Sequence, residues 1–281
     1  MRSKFFSFYM LASNQLFVLY CIAVICNVLS FNASPKDKVG NEPLDTNTGL
    51  MVVSDDEMLP GSHFEARRRE FTIGSFNISI KQNWRALGLG CVVWPAAVLL
   101  SNLLSSDRLH YNILDINIQD KLVVELGTGT GLPSIVAALN GAKNVIATDR
   151  KEIIERCTKK NTVGSYNELP HLFSEILDWD IDGAARFKRD HGAPDIIIGA
   201  DLIYHESAFK PLVDTLLGLS GKDTKIVITG KVRYKELNSK FETMLTGFSF
   251  KKIDASGLGD LAPDKRDYVY LLQQSDTKCD I

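Results

Sequence analysis

From Lys121 to Asp149 the chain reads KLVVELGTGTGLPSIVAALNGAKNVIATD, and this stretch leaves little choice of architecture. An apolar strand runs through a glycine-rich turn into a helix, and a second apolar strand follows that ends on an acid. Two strands joined in this way lie parallel, and a parallel sheet needs helices on both faces. The rhythm continues downstream. Strands are expected at Leu122 to Glu125, Asn144 to Thr148, Ser174 to Leu177, Asp195 to Gly199, Lys225 to Thr229, Phe248 to Asp254 and Tyr268 to Gln273. Helices are expected at Pro133 to Asn140, Lys151 to Asn161, Ala208 to Leu219 and Leu237 to Leu245. No helix separates the last two strands, so they pair antiparallel and close one edge of the sheet.

Upstream, EFTIGSFNISIKQNW places Phe71, Ile73, Phe76, Ile78 and Ile80 in period-two alternation about Gly74-Ser75, which predicts a β-hairpin appendage. Val92 to Leu104 then reads as an apolar helix, with Pro95 suited to its first turn. Residues 34–63 are polar and aperiodic, as a flexible linker is. Before them, Arg2 and Lys4 precede a long apolar run within 1–33. That run reads as a signal peptide or a membrane anchor, or as a segment outside the working protein with Met51 or Met58 as its start. The organisation expected is therefore segment 1–33, linker 34–63 and a catalytic domain over 64–281. The domain is expected to be monomeric and cytoplasmic, with membrane or secretory targeting only through the first segment. In an exported chain, Asn32 and Asn77 would open glycosylation triplets.

The 281 residues carry a net charge of −2, which excludes a nucleic-acid partner held by bulk electrostatics. Cys21, Cys26, Cys91, Cys157 and Cys279 are odd in number and form no C-x-x-C pair, a pattern that fits a reducing compartment and no disulfide frame. The five histidines have no ligand spacing, and no metal site is expected.

In an open α/β sheet the ligand lies at the carboxyl ends of the strands. Glu125, Gly127, Thr128, Gly129 and Gly131 stand at such an end. Glycines let a ligand approach the backbone, and the following helix offers unpaired N–H groups. Asp149, about 20 residues on, is placed to accept ribose hydroxyls. A nucleoside is therefore expected, and the choice falls between NAD and S-adenosylmethionine (SAM). The dinucleotide fingerprint G-x-G-x-x-G is broken, because its third glycine position is Leu132. A carboxylate at Glu125 would also repel a pyrophosphate, whereas it suits the amino group of a methionine-like tail. SAM is preferred. Trp179 stands where an adenine would stack, Asp178 is placed to accept the adenine amino group, and Trp94 is placed to cover a sulfonium.

These residues together resemble the family-16 seven-β-strand methyltransferases, in their protein-lysine branch. The carrying segments are VVWPAA, ELGTGTGLPSIVAAL, ATDR, LDW, IIIGADLIYHESAFKPLVDTL and VRYKELNSKFETML, within roughly Phe71 to Gln273. The resemblance implies an α/β, Rossmann-like sheet of seven strands in the order 3-2-1-4-5-7-6, with helices on both faces. It implies SAM contacts at Trp94, Gly127 to Gly129, Asp149, Trp179 and Ala200, and a D-x-x-Y signature at Asp201 and Tyr204 as the catalytic pair. The substrate it implies is a protein lysine, with chaperones and elongation factors as acceptors. An arginine, histidine or small-molecule acceptor stays open, as do an NAD-dependent oxidoreductase and a membrane-tethered binding module. Arg67 to Arg69 reads as a solvated stretch and Lys159-Lys160 as a helix C-terminal charge pair. Lys231, Arg233 and Tyr234 fall on the rim of the sheet.

Overall fold

The computed structural model describes residues 63–105, 114, 116–163 and 169–275. The segment 1–33 and nearly all of the linker 34–63 lie outside the described residues. Strands β1 (Arg68–Ile73) and β2 (Phe76–Lys81) pair antiparallel about Gly74-Ser75, as the alternation predicts. The buried face of this hairpin, Phe71, Ile73, Ile78 and Ile80, joins the core beneath α2, so the appendage is packed onto the body and not hung from it. A short helix α1 (Trp84–Leu87) and a 3-10 turn (Gly88–Cys91) lead to α2 (Pro95–Leu104). Pro95 occupies the first turn of α2, where its missing N–H removes no bond.

The seven-stranded sheet contains β3 (Leu122–Leu126), β4 (Asn144–Asp149), β5 (Leu172–Ile176), β6 (Ile196–Ala200), β7 (Lys225–Lys231), β8 (Phe248–Asp254) and β9 (Asp267–Gln274). Their spatial order is β5-β4-β3-β6-β7-β9-β8, parallel except at β9. Counted from β3, that is 3-2-1-4-5-7-6. Neighbouring residues of each strand serve opposite cores. Val123, Val145 and Ile198 face α2 and α3 (Leu132–Leu139), while Val124, Ile146 and Ile197 face α5 (Ile181–His191) and α6 (Phe209–Leu219). Both sheet faces are thereby dry, which is why the strands read as continuous apolar runs.

Several helical features depart from the expected pattern. The segment 151–162, α4, is helical at both ends (Lys151–Ile153 and Lys159–Thr162) but winds through a π turn, Ile154–Thr158, between them. Helix α5 was not expected, because its sequence IDGAARFKRDH buries only Gly183, Ala184 and Phe187. Asp180 caps it through a 2.5 Å bond from the Gly183 amide. Helix α7 (Lys235–Thr243) follows β7, and a short α8 (Ala255–Leu258) with a 3-10 turn (Gly259–Leu261) stands between β8 and β9 where no helix was expected, although the two strands still pair antiparallel.

The sheet ends on two unlike strands. At one edge β8 holds Ser249, Phe250 and Lys251 exposed. At the other, β5 leaves Phe173 and Ile176 at 45% and 48% exposure.

Candidate active site

Three parallel strands deliver the site. Leu126 of β3 lies opposite Thr148 of β4 and Gly199 of β6, so the glycine turn, Asp149 and Ala200 leave the sheet side by side. Gly127, Gly129 and Gly131 all have positive φ, at 62°, 53° and 90°. A side chain is excluded there on space as well. A Cβ on Gly127 would stand 2.8 Å from Leu202 Cδ2, and one on Gly129 would stand 3.1 Å from the Gly90 carbonyl oxygen. The turn is a cradle that only bare backbone can form.

Glu125 braces the turn from within. It is 1% exposed, and its Oε2 accepts hydrogen bonds from Thr128 Oγ1 (2.6 Å), Ser134 N (3.1 Å) and Ser134 Oγ (2.5 Å). It ties the glycine turn to the first turn of α3. Burial pushes its carboxyl up to about 7, against the lowering effect of those hydrogen bonds. Asp149 Oδ2 accepts from Gly129 N at 2.9 Å and its Oδ1 from Arg150 N at 2.8 Å, so backbone N–H groups orient the acid beside the turn. Burial raises the Asp149 carboxyl also. The cradle fits a SAM nucleoside and tail: bare backbone at Gly127 and Gly129, a carboxylate at Asp149, and Trp179 3.4 Å from the Cβ position of Gly127. Asp178 is exposed beside it and Ala200 is half-buried.

Residues that the sequence did not single out hold the cradle in place. Thr158, carried on the π turn, donates to the Gly129 carbonyl at 2.7 Å. Buried Asn161 donates to the carbonyls of Thr130 and Lys81 and accepts from Lys81 N, clipping the hairpin to the glycine turn. Cys91 and Cys157 form a disulfide, 66 residues apart in sequence with Cα atoms 5.9 Å apart. The cysteine count and spacing gave no sign of this bond, because a partner that distant leaves no spacing signal.

The signature acid Asp201 follows β6 with φ of 59°, and its amide donates to the Thr229 carbonyl at 2.8 Å. Its side chain is 6% exposed and accepts two bonds from Arg233, Nη1 to Oδ1 and Nη2 to Oδ2, each 2.6 Å. The Arg233 guanidinium also lies 5.3 Å from the Trp94 ring centroid. Trp94, whose Nε1 donates to the Leu89 carbonyl at 3.0 Å, thus already covers a cation. Tyr204 stands at the rim, 58% exposed, with Tyr234 at 61%. The rim reading of Lys231 and the solvated reading of Arg69 change. Lys231 is buried and paired with Asp264 at 2.5 Å, and Arg69 is buried with Nη1 on the Val93 carbonyl at 3.0 Å. Among the described residues no group of His, Cys, Asp and Glu is placed to hold a metal ion.

A seven-stranded sheet in this order, with a bare glycine cradle after its first strand and an acid after its second, defines the Rossmann-like methyltransferase class. Within that class, the chain belongs to the lysine methyltransferase family, whose profile matches residues 74–248. It is 36% identical over 198 residues to protein N-lysine methyltransferase METTL21A of Danio rerio, covering 69% of this chain and 85% of the relative. The Mus musculus METTL21A is 34% identical over 213 residues, covering 75% and 89%. EEF1A lysine methyltransferase 3 of Xenopus tropicalis is 30% identical over 158 residues, covering 56% and 64%. A solved Streptococcus mutans chain assigned to the SAM-dependent methyltransferases shares the fold at 12% identity, with a TM-score of 0.51 over 75% of this chain and 57% of that one.

Proposed function

We propose that the chain transfers a methyl group from SAM to the side-chain amine of a lysine in a protein substrate. The observation that carries this reading is the adjacency of the glycine cradle and Asp201: Leu202, the next residue, packs on the Gly127 position. When bound, SAM supplies a methyl carbon made electrophilic by a sulfonium. The chain would hold it with Gly127, Thr128 and Gly129 along the tail, Asp149 at the ribose, and Asp178 and Trp179 at the adenine. Gly131 and Ala200 shape the same cradle.

A free lysine has a pKa of about 10.4 and is protonated at neutral pH, so the site must release a proton to water before the amine can react. A carboxylate has about four lone-pair sites. Arg233 fills one on each oxygen of Asp201, and those that remain are available to accept from the amine and fix its direction. Orientation of this kind is where a bound reaction gains most over solution. Tyr204 adds a phenol oxygen at the entrance.

The acceptor protein is a chaperone or an elongation factor in this reading, which the EEF1A-directed name of one relative supports. Incubation of the purified full chain with a proteome and heavy-methyl SAM, followed by mass spectrometry, tests it. Label on lysine is the expected result. Label confined to arginine, histidine or small molecules would overturn the acceptor, and calorimetric binding of NADH without SAM would overturn the class.

A further inference from the structure

The fold gathers members of both basic stretches that the sequence had set aside. A cavity of about 570 Å³ lies between the hairpin, α1 and α4, lined by Arg67, Lys81, Arg85, Arg156 and Lys160, with Glu65 among them. Five cations meet one carboxylate in a chain whose net charge is −2. Arg67, Arg85, Arg156 and Lys160 are exposed, and Arg156 pairs with Glu152 at 2.7 Å. Like charges drawn together repel, and an anion that enters between them relieves the repulsion.

The backbone decides which anion. Phosphate sites rely on unpaired N–H groups that converge on the ligand. Here three of the amides along the wall are occupied: Lys81 N donates to Asn161 Oδ1 at 2.8 Å, Gln82 N to the Arg67 carbonyl at 2.9 Å, and Asn83 N to the Cys91 carbonyl at 2.9 Å. Gln82 is spent as well, on the carbonyls of His63 and Ala66 and on Val93 N. Most of what the cavity offers a ligand is long cationic side chains from separate elements. Such a set fits several carboxylates spread along a flexible segment better than one compact phosphate.

We propose that this cleft binds an acidic segment of the protein substrate, a role that rests on the lysine methyltransferase reading. The position suits it. Cys91 and Cys157 line the cavity, and the residues just before Cys91 form the wall that it shares with the cofactor cradle, where Gly90 meets Gly129. A substrate held here by its acidic run is tethered one wall away from the cradle.

Fluorescence anisotropy of fluorescein-labelled octaglutamate with the full chain tests the cleft. Binding is expected to weaken with salt, and to weaken by about tenfold or more in Arg67→Glu/Arg85→Glu, as loss of complementary charge requires. Lys251→Glu, on the far edge strand, is expected to bind as the parent does. The milder Arg85→Gln/Lys160→Gln pair is expected to show a smaller loss in the same direction. Equal binding by parent and both double variants would overturn the site, and displacement by inorganic triphosphate at lower concentration than by unlabelled octaglutamate would overturn the acidic peptide as its ligand. Calorimetry with SAM on the same samples keeps the two readings apart: a parent chain that binds octaglutamate but not SAM overturns the proposed function and not the anion site.

Discussion

Asp201 and Arg233, 32 residues apart in sequence, are joined by two 2.6 Å hydrogen bonds, one to each carboxylate oxygen. The arginine is also seated over Trp94, so three separated segments meet at the signature acid. Such a bidentate fork fixes the plane of the carboxylate, which a lysine at the same place would not do.

Asp201→Asn is therefore expected to lower turnover by about 100-fold or more, in the range of a lost acid–base or orienting group. SAM affinity by calorimetry is expected to stay near the parent value. Arg233→Lys should fall between the two, with turnover reduced and SAM affinity kept. Equal loss of both quantities in Asp201→Asn would mean that the acid merely supports the fold.

Glu125 predicts a pH dependence. Its carboxyl rises from 4.5 to about 7 on folding, so across that window the folded state holds the extra proton. Stability from this group is present below about 4.5 and is lost as pH rises through 7, a change of about 3 kcal/mol. Asp149 and Asp267 are raised as well and act in the same sense. Thermal unfolding of Glu125→Gln from pH 4.5 to 8 should show a flatter profile than the parent; identical slopes would remove Glu125 as the cause.

Gly129→Ala tests the cradle. The new Cβ must bear a φ of 53° and a 3.1 Å approach to the Gly90 oxygen. The backbone cost is about 1–2 kcal/mol, and SAM affinity is expected to drop by more than the stability loss alone explains. An unchanged dissociation constant would place the ligand elsewhere.

The Cys91–Cys157 bond closes a long loop, and its removal in Cys157→Ser is expected to cost about 2–4 kcal/mol in denaturant titration. Alkylation of the unfolded, unreduced parent should leave both cysteines unlabelled in a mass-spectrometric map. Labelling of either one would show that the bond is absent in solution.

Much of this was legible in the chain itself. The hairpin about Gly74-Ser75, the seven strands and the cradle follow from periodicity and glycine placement, because each depends on neighbours in sequence. Helix α5 escaped because its buried face is thin, although Asp180 before it and Gly192 after it mark both ends. The bracing role of Glu125 depends on Ser134 lying in the first turn of α3, nine residues on. The Asp201–Arg233 fork and the disulfide join segments that only the folded sheet brings together, so no local pattern reports them.

The exposed Phe173 and Ile176 on β5 have a consequence for handling the protein at high concentration. An edge strand with greasy side chains and unpaired backbone is where a second copy adds on, while lysine at the opposite margin repels it. Phe250 on β8 is exposed to a similar degree, but Lys251 follows it, so a charge introduced at position 173 should give the β5 flank the protection that the β8 flank already has.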